Sequence, residues 1–331
     1  MGMAFSFILV VILILIVALG VLVPGLQYFF AVVVPYAALL TFLAGMVMRV
    51  LKWARAPVPF RIPTTTGQQR SLPWIKASAL DNPSTTAGVI GRMALEILLF
   101  RSLFRNTRLE LHQGSRLAYH WEKWLWLGAL LFHWSMLLVV LRHLRFFTEP
   151  VPGFVTLLAD LDGFFRFGLQ GLYISGVTFL VAVTYLFLRR VLIPQLRYIS
   201  LPADYIPLFL LLGIGSTGIL MRYFYRVDVT AVKELTMGLV TLQPVVPDGL
   251  GMLFFIHLFL VSVLAAYFPF SKLVHMGGIF LSPTRNLPND SRARRHINPW
   301  NYPVPVHTYE EYEEEFRDKM KLAGLPVEKE G

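Results

Sequence analysis

The chain reads as an all-α polytopic membrane protein, a bundle of about six transmembrane helices with a cytoplasmic amphipathic segment and a soluble C-terminal tail. Composition points there first. Of 331 residues, 56% are hydrophobic and 15% charged, where a soluble protein carries about 25% charged residues. Mean hydropathy is +0.59. Several apolar runs approach the roughly 20 residues that a helix needs to cross a bilayer.

The runs lie at roughly 5–23, 28–50, 124–147, 168–190, 205–225 and 250–272. The first could pass for a signal peptide. Its flank MGMAFS carries no positive charge and no A-x-A-like site follows, so a retained helix is expected. Pro35 interrupts the second, which membrane helices tolerate. Lysine and arginine set the orientation. Segment 52–123 carries eleven basic residues against four acidic ones. The connection 189–204 carries Arg189, Arg190 and Arg197, and 272–295 carries Lys272, Arg285, Arg292, Arg294 and Arg295. Loop 148–167 has Glu149, Asp160 and Asp162 against Arg166 alone. This alternation predicts an inner-membrane protein with both termini cytoplasmic. It also accounts for the net charge of +10, and no nucleic-acid motif is present.

Four units follow: two N-terminal helices (1–51), a basic segment (52–123), a four-helix unit (124–282) and a tail (283–331). The basic segment is too long for a mere connector. Within it, TTAGVIGRMALEILLFRSLFRN has helical periodicity, with Met93, Ile97, Phe100 and Phe104 on one face and Arg92, Glu96 and Arg105 elsewhere. It is expected to lie on the membrane surface or against a partner subunit. In the tail, Thr308 and Glu311 form a capping-box signature. Tyr309, Tyr312, Phe316 and Met320 share a face of the ensuing helix, and Gly324 and Pro326 end it. The tail is expected to dock another protein.

Function rests on histidine. His133 and His143 lie ten residues apart in one apolar run, and His257 and His275 lie eighteen apart in another. An intramembrane ionisable residue is a functional candidate by default. The third and sixth spans run antiparallel, so the first histidine of one meets the last of the other. His133 pairs with His275 on the cytoplasmic side, and His143 with His257 on the outer side. Two such pairs can hold two hexacoordinate haems, which would carry electrons across the membrane. Ten residues cover ~15 Å of helix and eighteen ~27 Å. Tilt, side-chain reach and porphyrin orientation must absorb the difference. Eighteen residues is five turns, so His257 and His275 should share a face. Zinc or copper would also suit imidazole, but no carboxylate or thiol joins the cluster. His112, His120, His296 and His307 are expected to have surface or packing roles.

Cysteine is absent, which excludes cysteine-bound iron–sulfur clusters and covalent c-type haem from this chain. Arg142, Arg145 and Arg222 sit at outer helix ends, against the charge rule. Arginine pairs well with carboxylates, so haem propionates are natural partners.

The histidine spacing on two helices resembles the gamma subunit of respiratory nitrate reductase, a di-haem cytochrome b family, over roughly 124–282. ALDNPST, PFSKLVHMGGIFLSPTRN and RRHINPWNYPVPVHTYEEYEEEFRDKM are similar to the M subunits (DsrM) of Dsr MKJOP complexes, which are linked to dissimilatory sulfite reductase. The resemblance implies that the four histidines are axial ligands of two b haems. It implies electron exchange between menaquinone or ubiquinone and a cytoplasmic iron–sulfur partner that resembles the heterodisulfide reductase catalytic subunit. Other membrane and periplasmic Dsr subunits would complete the complex, and quinone would dock beside the outer haem, near His143. The nitrate-reductase relatives have fewer helices before their haem helices, so segment 52–123 is expected to serve subunit docking. Alternatives are the cytochrome subunit of a nitrate reductase or heterodisulfide reductase, and a transporter with structural histidines. A transporter should show repeat symmetry and broken helices in corresponding places, and neither is evident.

Overall fold

A computed structural model describes residues 2–57, 67–112, 116–167, 170–294, 303 and 305–328. Six helices are long and apolar enough to cross a membrane: α1 (Gly2–Gly20), α2 (Leu26–Ala54), α4 (Lys123–Phe146), α6 (Ile174–Leu192), α7 (Pro202–Phe224) and α9 (Met252–Phe270). Between them lie α3 (Thr86–Leu99), α5 (Gly153–Asp162) and α8 (Val229–Val240). After them come α10 (His275–Leu281) and α11 (Tyr309–Leu322). Ile8, Leu40 and Val181 on the spanning helices are exposed, as side chains that face lipid are.

The spanning helices pack in a definite order. α4 packs along α6, α6 along α7, α7 along α9, and α9 along α2, while α1 fills the groove between α7 and α9. Close approach relies on small residues, as membrane interfaces do. A Cβ at Gly128 of α4 would come within 2.5 Å of Tyr185 of α6. Phe132, Phe179, Ala182, Val183 and Leu211 form the apolar core between α4, α6 and α7. Val10, Leu210 and Leu260 knit α1 to α7 and α9. A third core, at the end of the bundle where α8 lies, contains Phe30, Ala31, Val232, Leu235, Phe254 and Phe255. α4 and α9 do not pack extensively on each other; they face one another across a gap.

Proline shapes three helices in different ways. Before Pro35 the backbone widens into a π-turn over Phe29–Val33 and the helix then continues, so the proline is absorbed without ending the span. Pro207 sits inside α7. Pro269 ends α9 in a turn of 3₁₀ helix, and Ser271 is fully extended. The sixth span therefore stops at Phe270, and His275 begins a new helix.

Two antiparallel hairpins were not expected from the sequence: β1 (Thr107–His112) with β2 (Arg116–Trp121), and β3 (Phe165–Phe167) with β4 (Gln170–Leu172). Each is short and local, and the fold remains helical. The strands of the first contain His112 and His120. His296 lies outside the described residues, and His307 is exposed beside Glu311.

Helix α3 buries a different face from the one its apolar residues suggest. Thr85 caps it by accepting from the Gly88 N–H at 3.2 Å. Val89, Arg92 and Glu96 are its buried residues. The Arg92 guanidinium donates to the carbonyls of Asp81 (3.3 Å), Thr284 (3.1 Å) and Arg285. Glu96 pairs with Arg285 at 3.5 Å and accepts from Ser102. Below, Gln69, Asn82 and Asn289 share buried side-chain hydrogen bonds at 2.7–2.9 Å. The polar face is thus a clamp on residues 282–291, which the periodicity of α3 alone could not reveal. Asp81 pairs with Arg101 and Arg105. The hydrogen bond from Arg101 chiefly holds its carboxyl at about 2, below the usual range.

The tail helix follows its sequence signals. Thr308 and Glu311 cap each other reciprocally. Gly324 takes a left-handed conformation (φ 70°), and the Leu325 N–H donates to Met320 O at 2.9 Å. Tyr309 and Tyr312 remain exposed while Met320 and Glu313 are buried. Trp300 and Tyr302 lie outside the described residues.

Candidate functional site: two facing histidine pairs

The gap between α4 and α9 is bridged by imidazoles. The rings of His143 and His257 are 6.5 Å apart between centroids and nearly parallel, at 14°. The rings of His133 and His275 are 5.9 Å apart and nearly perpendicular, at 82°. These are the two pairings that antiparallel topology predicts.

In every ring Nδ1 is already engaged. His133 Nδ1 lies 2.8 Å from Ala129 O, His143 Nδ1 2.7 Å from Val139 O, and His275 Nδ1 2.9 Å from Lys272 O. A carbonyl only accepts, so these nitrogens carry the proton. His257 Nδ1 is 2.8 Å from Thr217 Oγ1, and that hydroxyl lies 2.7 Å from Gly213 O. Thr217 therefore donates to the carbonyl and accepts from His257. Each Nε2 is left with its lone pair. Metal-binding histidines are oriented in this way by a hydrogen bond on the far nitrogen.

The two pairs, labelled outer (His143, His257) and inner (His133, His275) after the expected orientation, are built by different means. The outer pair stands on unbroken helix. The inner pair depends on the break after Phe270, so the expectation that His257 and His275 share one helical face is corrected. The break is well supported. Arg49 of α2 donates to Pro269 O through Nε (3.0 Å) and Nη2 (2.9 Å). A Cβ at Gly45 would come within 2.7 Å of Pro269, so α2 presses directly on the turn. Ser271 Oγ accepts from the Leu273 N–H at 3.1 Å and starts the next turn. Pro269 and Ser271, six and four residues before His275, were the sequence signal for this break.

At the outer end the three arginines have separate fates. Arg142 is buried. Its Nε lies 2.9 Å from Asp162 Oδ2, and its Nη2 donates to Ser175 Oγ at 2.9 Å. Asp162 also accepts from the Ser175 N–H (2.7 Å) and Oγ (2.6 Å). A carboxylate that meets Arg142 is therefore the chain's own, that of Asp162. Arg145 donates to Arg142 O at 3.2 Å. Arg222 sits in the π-turn that ends α7. Its guanidinium lies 4.6 Å from the centre of the Tyr173 ring, to which Arg142 also comes within 3.8 Å. Sequence reasoning placed Asp162 in an acidic loop and missed its role, because no local pattern marks a partner twenty residues away.

At the inner end, cross-links tie the helices together. Arg189 pairs with Glu122 at 2.9 Å, and Asp204 accepts from Lys272 at 2.6 Å. The rings of Phe100 and Phe132 each meet His133 edge-on, at 4.9 Å.

Among the described residues, no group of three or more His, Cys, Asp or Glu side chains could hold a metal ion. Each pair offers two imidazoles and nothing more. An ion bound there must bring its remaining ligands with it.

Comparison with known proteins agrees in kind. The profile of the nitrate reductase gamma subunit family matches residues 88–288. An Hdr-like menaquinol oxidoreductase cytochrome b-like subunit of Archaeoglobus fulgidus is 47% identical over 279 residues, which cover 82% of this chain and 83% of the relative. Its counterpart from Archaeoglobus profundus is 43% identical over 284 residues, 84% and 83% of the two chains.

Proposed function

Since the chain belongs to the nitrate reductase gamma subunit family, we propose that it is the membrane cytochrome b subunit of a quinone-linked oxidoreductase complex. Two b haems would lie between α4 and α9, on His133 with His275 and on His143 with His257. The residues fit the group. Two imidazoles that shared one metal ion, each through a metal–nitrogen bond of about 2.0 Å with ~1.2 Å from nitrogen to ring centre, would stand about 6.4 Å apart between ring centres. The two pairs stand at 5.9 and 6.5 Å. A porphyrin brings the four equatorial nitrogens that the protein lacks, which favours haem over zinc or copper. Bound haem supplies one-electron redox chemistry whose potential its surroundings tune. The observation that carries the reading is the match of both centroid distances, with all four Nδ1 atoms held.

The chain's residues then divide the work. α4 and α9 would hold the two haems at different depths, a layout suited to electron transfer between the outer and inner faces. Quinone, menaquinone on the names of the two relatives, would exchange electrons beside His143. Asp162 holds Arg142 there so that no unpaired charge is buried. The basic residues of 52–123, 189–204 and 272–295 favour a cytoplasmic inner face, and six crossings put both termini there. A cysteine-free chain needs a partner for the next step. The clamped segment 282–291 and the tail helix α11 would dock a cytoplasmic iron–sulfur subunit akin to that of heterodisulfide reductase. The strings ALDNPST and SPTRN, which meet in this clamp, support assignment to a sulfur-metabolising complex of the Dsr type.

The test is optical. The purified protein, titrated with a menaquinol analogue, should develop a b-type reduced-minus-oxidised spectrum with two haems per chain. A protein that binds no haem after expression with ample haem supply overturns the reading.

A further inference from the structure

Phe100 ends α3 with φ 49° and ψ 48°. Helices ordinarily give this left-handed position to glycine or asparagine, because a Cβ there crowds the following carbonyl. Among the described residues the other non-glycine residue with positive φ is Leu242, which is exposed and follows α8. Strained conformations persist where the surroundings over-determine them, and they cluster at functional sites.

The surroundings of Phe100 are specific. Trp126 Nε1 donates to Leu99 O at 2.7 Å, and Trp134 Nε1 donates to Leu98 O at 3.0 Å. Both indoles stand on α4, seven residues before and one after His133. They pin the two carbonyls that precede Phe100 to the helix that carries the inner histidine. Held this way, the Phe100 ring meets the His133 ring edge-on, at 76° and 4.9 Å. Phe132 meets it at 83°. A residue without strain, or a helix without the two indole tethers, would not bring a ring from outside the bundle to this imidazole.

We propose that Phe100 is a positioning residue for the inner histidine pair: it fixes the plane of the His133 ring against that of His275 and covers one edge of the His133 ring against water. The proposal rests on the haem reading above. It gives segment 52–123 a role beyond docking, since its helix delivers the ring.

The test uses the full-length protein in membranes. Phe100→Gly relieves the backbone and removes the ring; Phe100→Tyr keeps the ring. Electron paramagnetic resonance reports the angle between the two imidazole planes at each low-spin haem, and redox titration reports each potential. Phe100→Gly should retain two haems and its thermal stability. Its inner signal should move toward that of parallel ligands. Its reduced-to-oxidised ratio at fixed potential should fall about tenfold, or ~59 mV for one electron, because water favours the charged oxidised form. The outer haem should be unchanged, and Phe100→Tyr should match the wild type. Should Phe100→Gly fail to assemble, Phe100→Leu provides the same readout. An unchanged inner signal and potential, or equal shifts in both haems, overturns the proposal. A wild-type protein without a second haem overturns the reading beneath it instead.

Discussion

The outer and inner histidine pairs present the same ligands, yet the protein assembles them differently. His143 and His257 both lie on unbroken helix, their rings run almost parallel, and a closed network of Arg142, Asp162 and Ser175 stands beside them. His133 meets a histidine that follows a helix break, and the two rings are almost perpendicular. Elements outside the four-helix unit hold that arrangement: Arg49 on α2 and Phe100 after α3. The difference teaches that the outer pair rests on continuous helix, whereas the inner pair depends on supports that reach it across a helix break. Arg49 and its helix lie outside the matched region 88–288, so the N-terminal helices have a task at the inner end.

Independence of the two ends can be broken in order of expected effect. Asp162→Asn leaves Arg142 buried without its counter-charge, which costs about 3–5 kcal/mol. Outer haem occupancy and thermal stability should both fall, with the inner haem retained. Equal loss of both haems would show that the outer network supports the whole bundle. Arg49→Leu is the smaller perturbation. It leaves Pro269 O without its donor in a membrane, at about 1–3 kcal/mol. The inner haem's resonance signal and potential should shift while the outer haem stays as it was. A shift at the outer haem, 18 residues back along the chain from His275 at His257, would mean that the break is not what isolates the two sites.

Much of this architecture was legible in the sequence because the bilayer imposes simple rules. Hydropathy located six spans to within six residues at either end, and the histidines that antiparallel topology pairs are the ones whose rings face each other. Thr308, Glu311 and Gly324 marked the tail helix because capping is local chemistry. What failed was whatever depended on distant partners. Arg92 and Glu96 read as standing off the apolar face of α3, and they are buried where residues 282–291 return to meet them. The hairpin of β1 and β2 is made by backbone pairing between two strands, which was not read from their sequence. The broken sixth span was half-visible: Pro269 and Ser271 stood before His275, but an eighteen-residue spacing that fits five turns concealed them.

The central claim is that one haem is held by His133 with His275 and the other by His143 with His257, as the rings are found. Haem per chain, counted in paired double variants, tests it most directly. His133→Ala with His275→Ala should leave one haem, and so should His143→Ala with His257→Ala. His133→Ala with His257→Ala should leave none. One haem retained in that last variant, or two lost in either of the first, would contradict the pairing.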